Sequence, residues 1–129
     1  MRYLLDTQIL LWYFNGDKRL PQDFIDVISN ADNEVFVSIV SYWEIAIKAS
    51  IGKLKLDYTV SKLEKMAQVH DFQTLGMSVH ALDYLRHLDI DHQDPFDRYL
   101  LCQSRVEHLD FITEDHKLKV YVDSSSGSE

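Results

Sequence analysis

Arg2-Tyr-Leu-Leu-Asp6-Thr-Gln-Ile-Leu-Leu-Trp-Tyr-Phe14, followed by the breaker Asn15-Gly16-Asp17, is the stretch that decides how this chain folds. Its first four residues form a short apolar run that stops at an acid, which reads as a strand over Arg2–Leu5. Thr7 to Phe14 then reads as a helix. The same grammar recurs: Glu34 to Ser38 is β-branched and aromatic, and it feeds a helix from Ile39 to Ser50 that ends at Gly52. Between them, Pro21 opens a helix to Ser29 with Phe24, Ile25 and Ile28 at helical spacing. Thr59 to Asp71 reads as a further helix with Leu63, Met66 and Ala67 inward, and Phe72 to Leu75 as a third strand. Ser78 caps a helix carrying Ala81, Leu82 and Leu85, and a polar loop from Asp89 to Asp94 leads to a helix from Pro95 to Glu107. Asp110 to Thr113 supplies a fourth strand and Val120 to Val122 a fifth, before a Ser/Gly-rich tail over residues 123–129.

Strands alternating with helices predict an α/β fold with a parallel sheet covered on both faces. A chain of 129 residues is one domain's worth, here expected over residues 1–122. No apolar stretch approaches the ~20 residues of a membrane span, and the N-terminus lacks a secretory pattern, so the expectation is a cytoplasmic protein with no membrane partner. The lone Cys102 agrees with a reducing compartment, and its apolar surroundings make it a core residue rather than a nucleophile. No His or Cys spacing resembles a zinc site. The net charge of −8 argues against nucleic-acid binding by counterion release alone. Lys48, Lys53, Lys55, Lys62 and Lys65 nevertheless form a locally basic stretch that can meet phosphates, or simply a solvated face.

The acids carry the chemistry. Asp6 ends the first strand, Glu44 interrupts an apolar helix, Asp94 and Asp97 flank Pro95-Phe96, and Asp115 follows Ile112-Thr113-Glu114. Each has a structural explanation: Asp6 as a helix cap, Glu44 as the end of a Ser41-Tyr-Trp-Glu capping box or partner of Lys48, Asp94 as an N-cap, Asp115 as the cap of a short turn. Together they are better explained as one cation site at the carboxyl edge of a parallel sheet, where such folds bind ligands. Hard oxygen ligands select Mg²⁺ or Mn²⁺, and the chemistry that uses them is metal-assisted phosphoryl hydrolysis. Thr113 is placed to donate a hydrogen bond to a ligand carboxylate or a phosphate, or to end its strand as an ordinary threonine. An aspartyl-nucleophile phosphatase is the competing enzyme, but Asp6-Thr-Gln lacks a second acid two residues on.

The chain resembles PIN-domain ribonucleases, and among them the VapC-type toxins of toxin-antitoxin pairs. The resemblance runs through Tyr3-Leu-Leu-Asp6-Thr-Gln-Ile-Leu-Leu-Trp12, Val37-Ser-Ile-Val-Ser-Tyr-Trp-Glu44-Ile-Ala-Ile-Lys48, Gly52-Lys-Leu54, His92-Gln-Asp-Pro-Phe-Asp97-Arg98 and Ile112-Thr-Glu-Asp115, in family order. It implies a three-layer α/β/α sandwich around a five-stranded parallel sheet, with Asp6, Glu44, Asp97 and Asp115 as the catalytic and metal-binding quartet. Asp94 and Thr113 then support it. It further implies Mg²⁺- or Mn²⁺-dependent cleavage of RNA, homodimerisation and inhibition by a cognate antitoxin. A non-catalytic PIN scaffold for protein or RNA is the alternative, as is another acidic-site phosphohydrolase. Gln8 stands where many relatives have His or Asn, and Glu114 adds charge beside Asp115. Ile9 to Phe14 is apolar around more than one face, which suits either burial on two sides or contact with a partner, whereas Trp43 and Ile47 are expected in the core.

Overall fold

Strands β1 (Arg2–Leu5), β2 (Glu34–Ser38), β3 (Gln73–Leu75) and β4 (Asp110–Ile112) form one parallel sheet in the order β3-β2-β1-β4. This is seen in a computed structural model that describes residues 1–89 and 92–127, with side chains described as far as 122. Leu5 pairs with Ile112 and Leu4 with Phe36, so β1 lies at the centre of the sheet. The chain moves outward from β1 through β2 to β3 and then crosses back to place β4 on the other side of β1. That reversal opens a crevice between the carboxyl ends of β1 and β4, the usual ligand position in such sheets.

The strands alternate their side chains between two cores, as a period of two requires. Leu5, Val35, Val37 and Ile112 face one side, where they pack with Ile9 and Leu10 of α1 (Thr7–Asn15), Ile28 of α2 (Gln22–Ser29), Tyr42 and Ile45 of α3 (Ile39–Ser50), and Leu63 and Ala67 of α4 (Val60–Val69). Leu4, Phe36 and Phe111 face the other side, with Ala81 of α5 (Val79–Arg86), Tyr99 to Cys102 of α6 (Pro95–Val106) and Leu118 of α7 (His116–Gly127). The arrangement is the expected α/β/α sandwich. Ser78 and Asp94 cap their helices as read, and Ser38 and Thr59 do so too, each of the four accepting a backbone N–H from the turn that it caps. Gly16 ends α1 in the left-handed conformation, at φ 61°, that closes a helix.

The sheet has four strands among the described residues, not five. Residues 120–122, expected as a strand, belong to α7, which runs on through residue 127, within the expected tail; residues 128 and 129 lie outside the description. The reason is period. Asp115 accepts hydrogen bonds from the N–H groups of Lys117 and Leu118 and starts a helix. Leu118, Tyr121 and Val122 then fall at helical spacing against the second core, with Val120 outward. Ile90 and Asp91 of the expected polar loop also lie outside the described residues. Trp43 and Ile47 correct another expectation: they are 53% and 40% exposed, in line with Ile39 along the outside of α3. Of the apolar run in α1, Ile9 to Leu11 are buried, and Trp12, Tyr13 and Phe14 are half-buried against the first core. No helix among the described residues is long and apolar enough to cross a membrane.

Candidate functional site

Asp6 is the residue that leaves β1. Its N–H still donates to the Ile112 carbonyl at 2.9 Å, as though the β1–β4 ladder ran one residue further. It occupies the N-cap position of α1, yet its carboxylate makes no capping bond. Instead, Oδ2 accepts a 2.6 Å hydrogen bond from the Thr113 hydroxyl, which in turn accepts from the Asp115 N–H at 3.0 Å. The capping explanation of Asp6 therefore fails, and the side chain is turned into the crevice with only 5% of the residue exposed. Burial, with the charges of Glu44 and Asp115 nearby, outweighs the Thr113 bond and lifts its pKa from 3.8 to about 6.

Glu44 reaches the crevice from the opposite wall. The cap of α3 is Ser38, so Glu44 lies six residues inside the helix and no Ser41–Glu44 capping box forms. Ser41 is engaged elsewhere, accepting the buried Thr7 hydroxyl at 2.9 Å and tying α3 to the start of α1. One carboxylate oxygen of Glu44 pairs with Lys48 a turn later, as the helix-surface explanation requires. The other, Oε1, is buried without a hydrogen-bond partner. A buried acceptor left in that state costs roughly 1–3 kcal/mol, a cost that a bound cation would remove. Burial alone would depress the Lys48 pKa, but Glu44, helped by Asp94 and Asp97, raises it overall.

Asp97 enters from the first turn of α6. Its position is set by Asp94, whose Oδ1 accepts the N–H groups of Phe96 at 2.9 Å and Asp97 at 3.0 Å, with Pro95 as the first helical residue. Asp97 is the most perturbed acid of the group. Burial, then the charges of Asp6, Asp94, Glu44 and Asp115, push its pKa up to about 8. Asp115 completes the set at the β4–α7 turn, with Oδ1 capping α7 and Oδ2 turned inward.

Asp6, Glu44, Asp97 and Asp115 thus meet on one open cleft of about 540 Å³. Asp94 stands behind Asp97, close enough that ligand atoms of Glu44, Asp94 and Asp97 lie within 4.8 Å of one another. A second such group joins Asp97 and Asp115 to His92, which in the sequence is only the head of His92-Gln-Asp-Pro-Phe-Asp97-Arg98, with no role of its own. Its signal was weak: a single histidine two residues before a cap, with its partners five and twenty-three positions away. Among the basic residues, Lys48 and Lys53 line the cleft, whereas Lys55, Lys62 and Lys65 are solvent-exposed. Glu114 is paired with Lys119 at 2.9 Å, which offsets the charge it adds beside Asp115. Cys102 is buried in the second core, and burial pushes its thiol up to about 11, so it is inert there.

The acids are all hard oxygen donors, mutually repelling and partly dehydrated, with one acceptor unpaired. This donor set fits Mg²⁺ or Mn²⁺, which take carboxylate oxygens and keep some of their water.

No curated protein matches the chain. Among solved structures, a chain of the VapBC2 complex from Rickettsia felis, bound to a DNA fragment from their promoter, is similar at TM-score 0.64 and 16% identity over 92% of each chain. A chain of a toxin-antitoxin complex from Klebsiella pneumoniae gives TM-score 0.59 and 19% identity, over 89% of this chain and 88% of that one. At such identities the likeness is one of fold. The PIN domain profile matches residues 3–123, and the chain belongs to the PIN-domain family.

Proposed function

We propose that this protein is a metal-dependent endoribonuclease, the toxin of a type II toxin-antitoxin pair, working in the cytoplasm. The observation that carries the reading is the convergence of Asp6, Glu44, Asp97 and Asp115, from four separate parts of the chain, on one cleft in which Glu44 Oε1 has no partner. These four acids would hold Mg²⁺ or Mn²⁺, with Asp94 and Thr113 in support. Bound there, the metal would supply an activated water and stabilise the charge that develops on the scissile phosphate. The protein's own part is placement. Thr113 holds Asp6 through Oδ2, and Lys48 holds Glu44 through Oε2 and leaves Oε1 without a partner. Asp97, crowded by Asp6, Asp94, Glu44 and Asp115, would give up its proton in exchange for the cation it helps to hold, and one carboxylate of the set would orient the attacking water. Lys53 on the rim offers a counter-charge to the RNA backbone, which the overall charge of −8 otherwise repels. Attack by water on the phosphorus, with the 3′-oxygen as leaving group, leaves a 5′-phosphate and a 3′-hydroxyl; among the described residues the acidic clusters include one histidine, His92, and not the pair that 2′-hydroxyl attack uses.

The partners follow from the same reading. The two solved structures named above are a VapBC2 complex and a toxin-antitoxin complex, which supports a cognate antitoxin here. The exposed row Ile39, Trp43 and Ile47 on α3 supports a homodimer, since an apolar row at i, i+4, i+8 is costly to leave in water.

The test is cleavage of structured RNAs by antitoxin-free protein, with Mg²⁺ or Mn²⁺, with a chelator, and beside Asp97→Asn. Metal-dependent cleavage with 5′-phosphate ends, lost in the variant, is the expected result. Equal cleavage by the variant, or cleavage indifferent to the chelator, would overturn the reading. Growth arrest on expression, relieved by a neighbouring small open reading frame, separates a toxin from a housekeeping nuclease.

A further inference from the structure

His92 is held between two acids of the site. Its Nε2 lies 3.2 Å from Asp97 Oδ2 and 3.3 Å from Asp115 Oδ2, with the side chain only 11% exposed. The two carboxylates come from different elements, the first turn of α6 and the turn that starts α7, so their separation is not set by either element alone. The other ring nitrogen, Nδ1, faces the Asp94 N–H at 3.3 Å. An amide can only donate, so Nδ1 must present a lone pair and the ring proton sits on Nε2, facing the acids. Asp94 therefore acts twice: its N–H selects the tautomer of His92, and its carboxylate positions the turn that carries Asp97.

We propose that His92 is a positioning residue that bridges Asp97 and Asp115 through Nε2–H and stays outside the coordination sphere of the cation. The idea rests on the metal-binding reading of the site and deepens it. A carboxylate has lone pairs enough to accept from His92 and still ligate through its remaining positions. A ring nitrogen that ligates must be unprotonated, and Nε2 is the protonated one. Donors of this kind hold ligand carboxylates in place, and their loss typically weakens metal binding by about 10- to 100-fold.

The experiment compares Mn²⁺ and Mg²⁺ binding by calorimetry for the full chain, His92→Gln and His92→Ala, with melting in a chelator as the control for folding. His92→Gln keeps an N–H donor at similar reach. The expected result is Mn²⁺ binding weakened by about 10- to 100-fold in His92→Ala. His92→Gln should bind within a few-fold of wild type, and the Mn²⁺-to-Mg²⁺ preference should be the same in all three. Pulsed paramagnetic resonance of the Mn²⁺-loaded wild type should show no directly bound imidazole nitrogen. A bound nitrogen, a preference for Mn²⁺ that disappears with the ring, or His92→Ala binding as tightly as wild type would overturn the bridge. If His92→Ala does not fold, a large loss of affinity in a folded His92→Gln would overturn it equally. Should wild type bind neither metal, the metal reading itself fails, and nitrogen-15 spectra of the metal-free protein still decide the bridge: a proton on Nε2 supports it, and one on Nδ1 overturns it.

Discussion

At the scale of single residues, the site is a set of partly buried acids close to one another, and its energetics are those of burial first and mutual repulsion second. Asp97 has its pKa raised from 3.8 to about 8 and Asp6 from 3.8 to about 6, so the folded, metal-free protein holds protons that the unfolded chain releases. The sign follows: these two groups favour folding fully below about pH 4 and lose that contribution as pH rises through about 6 for Asp6 and about 8 for Asp97. Between pH 6 and pH 8 the melting temperature of the protein in a chelator should therefore fall, and saturating Mn²⁺ should flatten the profile. Asp97→Asn should remove most of that dependence and raise the metal-free melting temperature by a few degrees, equivalent to about 1 kcal/mol. It should also lose Mn²⁺ binding. A metal-free profile flat from pH 6 to 8 in calorimetry would contradict the assignment. The acids were legible in the sequence because each sits in apolar or helix-starting context where a charge needs a reason. The capping explanations could be separated from the site only in three dimensions, where Asp6 caps nothing, Asp94 caps α6, and Asp115 does both jobs with different oxygens.

At the scale of elements, helix starts place the chemistry. Asp94 both caps α6 and fixes where Asp97 points, so two substitutions divide its roles. Asp94→Asn keeps a good N-cap and should leave folding and Mn²⁺ affinity close to wild type, whereas Asp94→Ala should cost about 0.5–2 kcal/mol in chemical denaturation and weaken Mn²⁺ binding as well. Equal loss of Mn²⁺ in both variants would make Asp94 a ligand rather than a support. The end of the chain makes the same point about period. Val120-Tyr121-Val122 has the composition of a strand, but a three-residue apolar run does not distinguish strand from helix, and the Asp115 cap with Leu118 decides for helix. Leu118 is fully buried, so Leu118→Ala should cost about 2–5 kcal/mol, read from the denaturation midpoint. A terminal segment that frayed without consequence would show almost no loss.

At the scale of the whole molecule, the sheet order brings β1 and β4 together and makes a cleft from residues more than a hundred positions apart. The same packing leaves Ile39, Trp43 and Ile47 on the outside of α3. If that row is the dimer surface, Ile47→Lys should convert a dimer to a monomer in sedimentation while leaving the fold intact by circular dichroism; an unchanged dimer would place the contact elsewhere. The strand–helix alternation, the caps at Ser78, Asp94 and Asp115, and the acids that are out of place are written in the sequence, because caps, periods and breakers act between residues a few positions apart. Only in the folded molecule does Leu118 meet the second core that holds residues 120–122 in α7, does Trp43 lie outside, and does His92 stand between Asp97 and Asp115. Those outcomes depend on which surfaces the folded sheet buries and which distant turns it brings within 3.3 Å, and no local pattern encodes either.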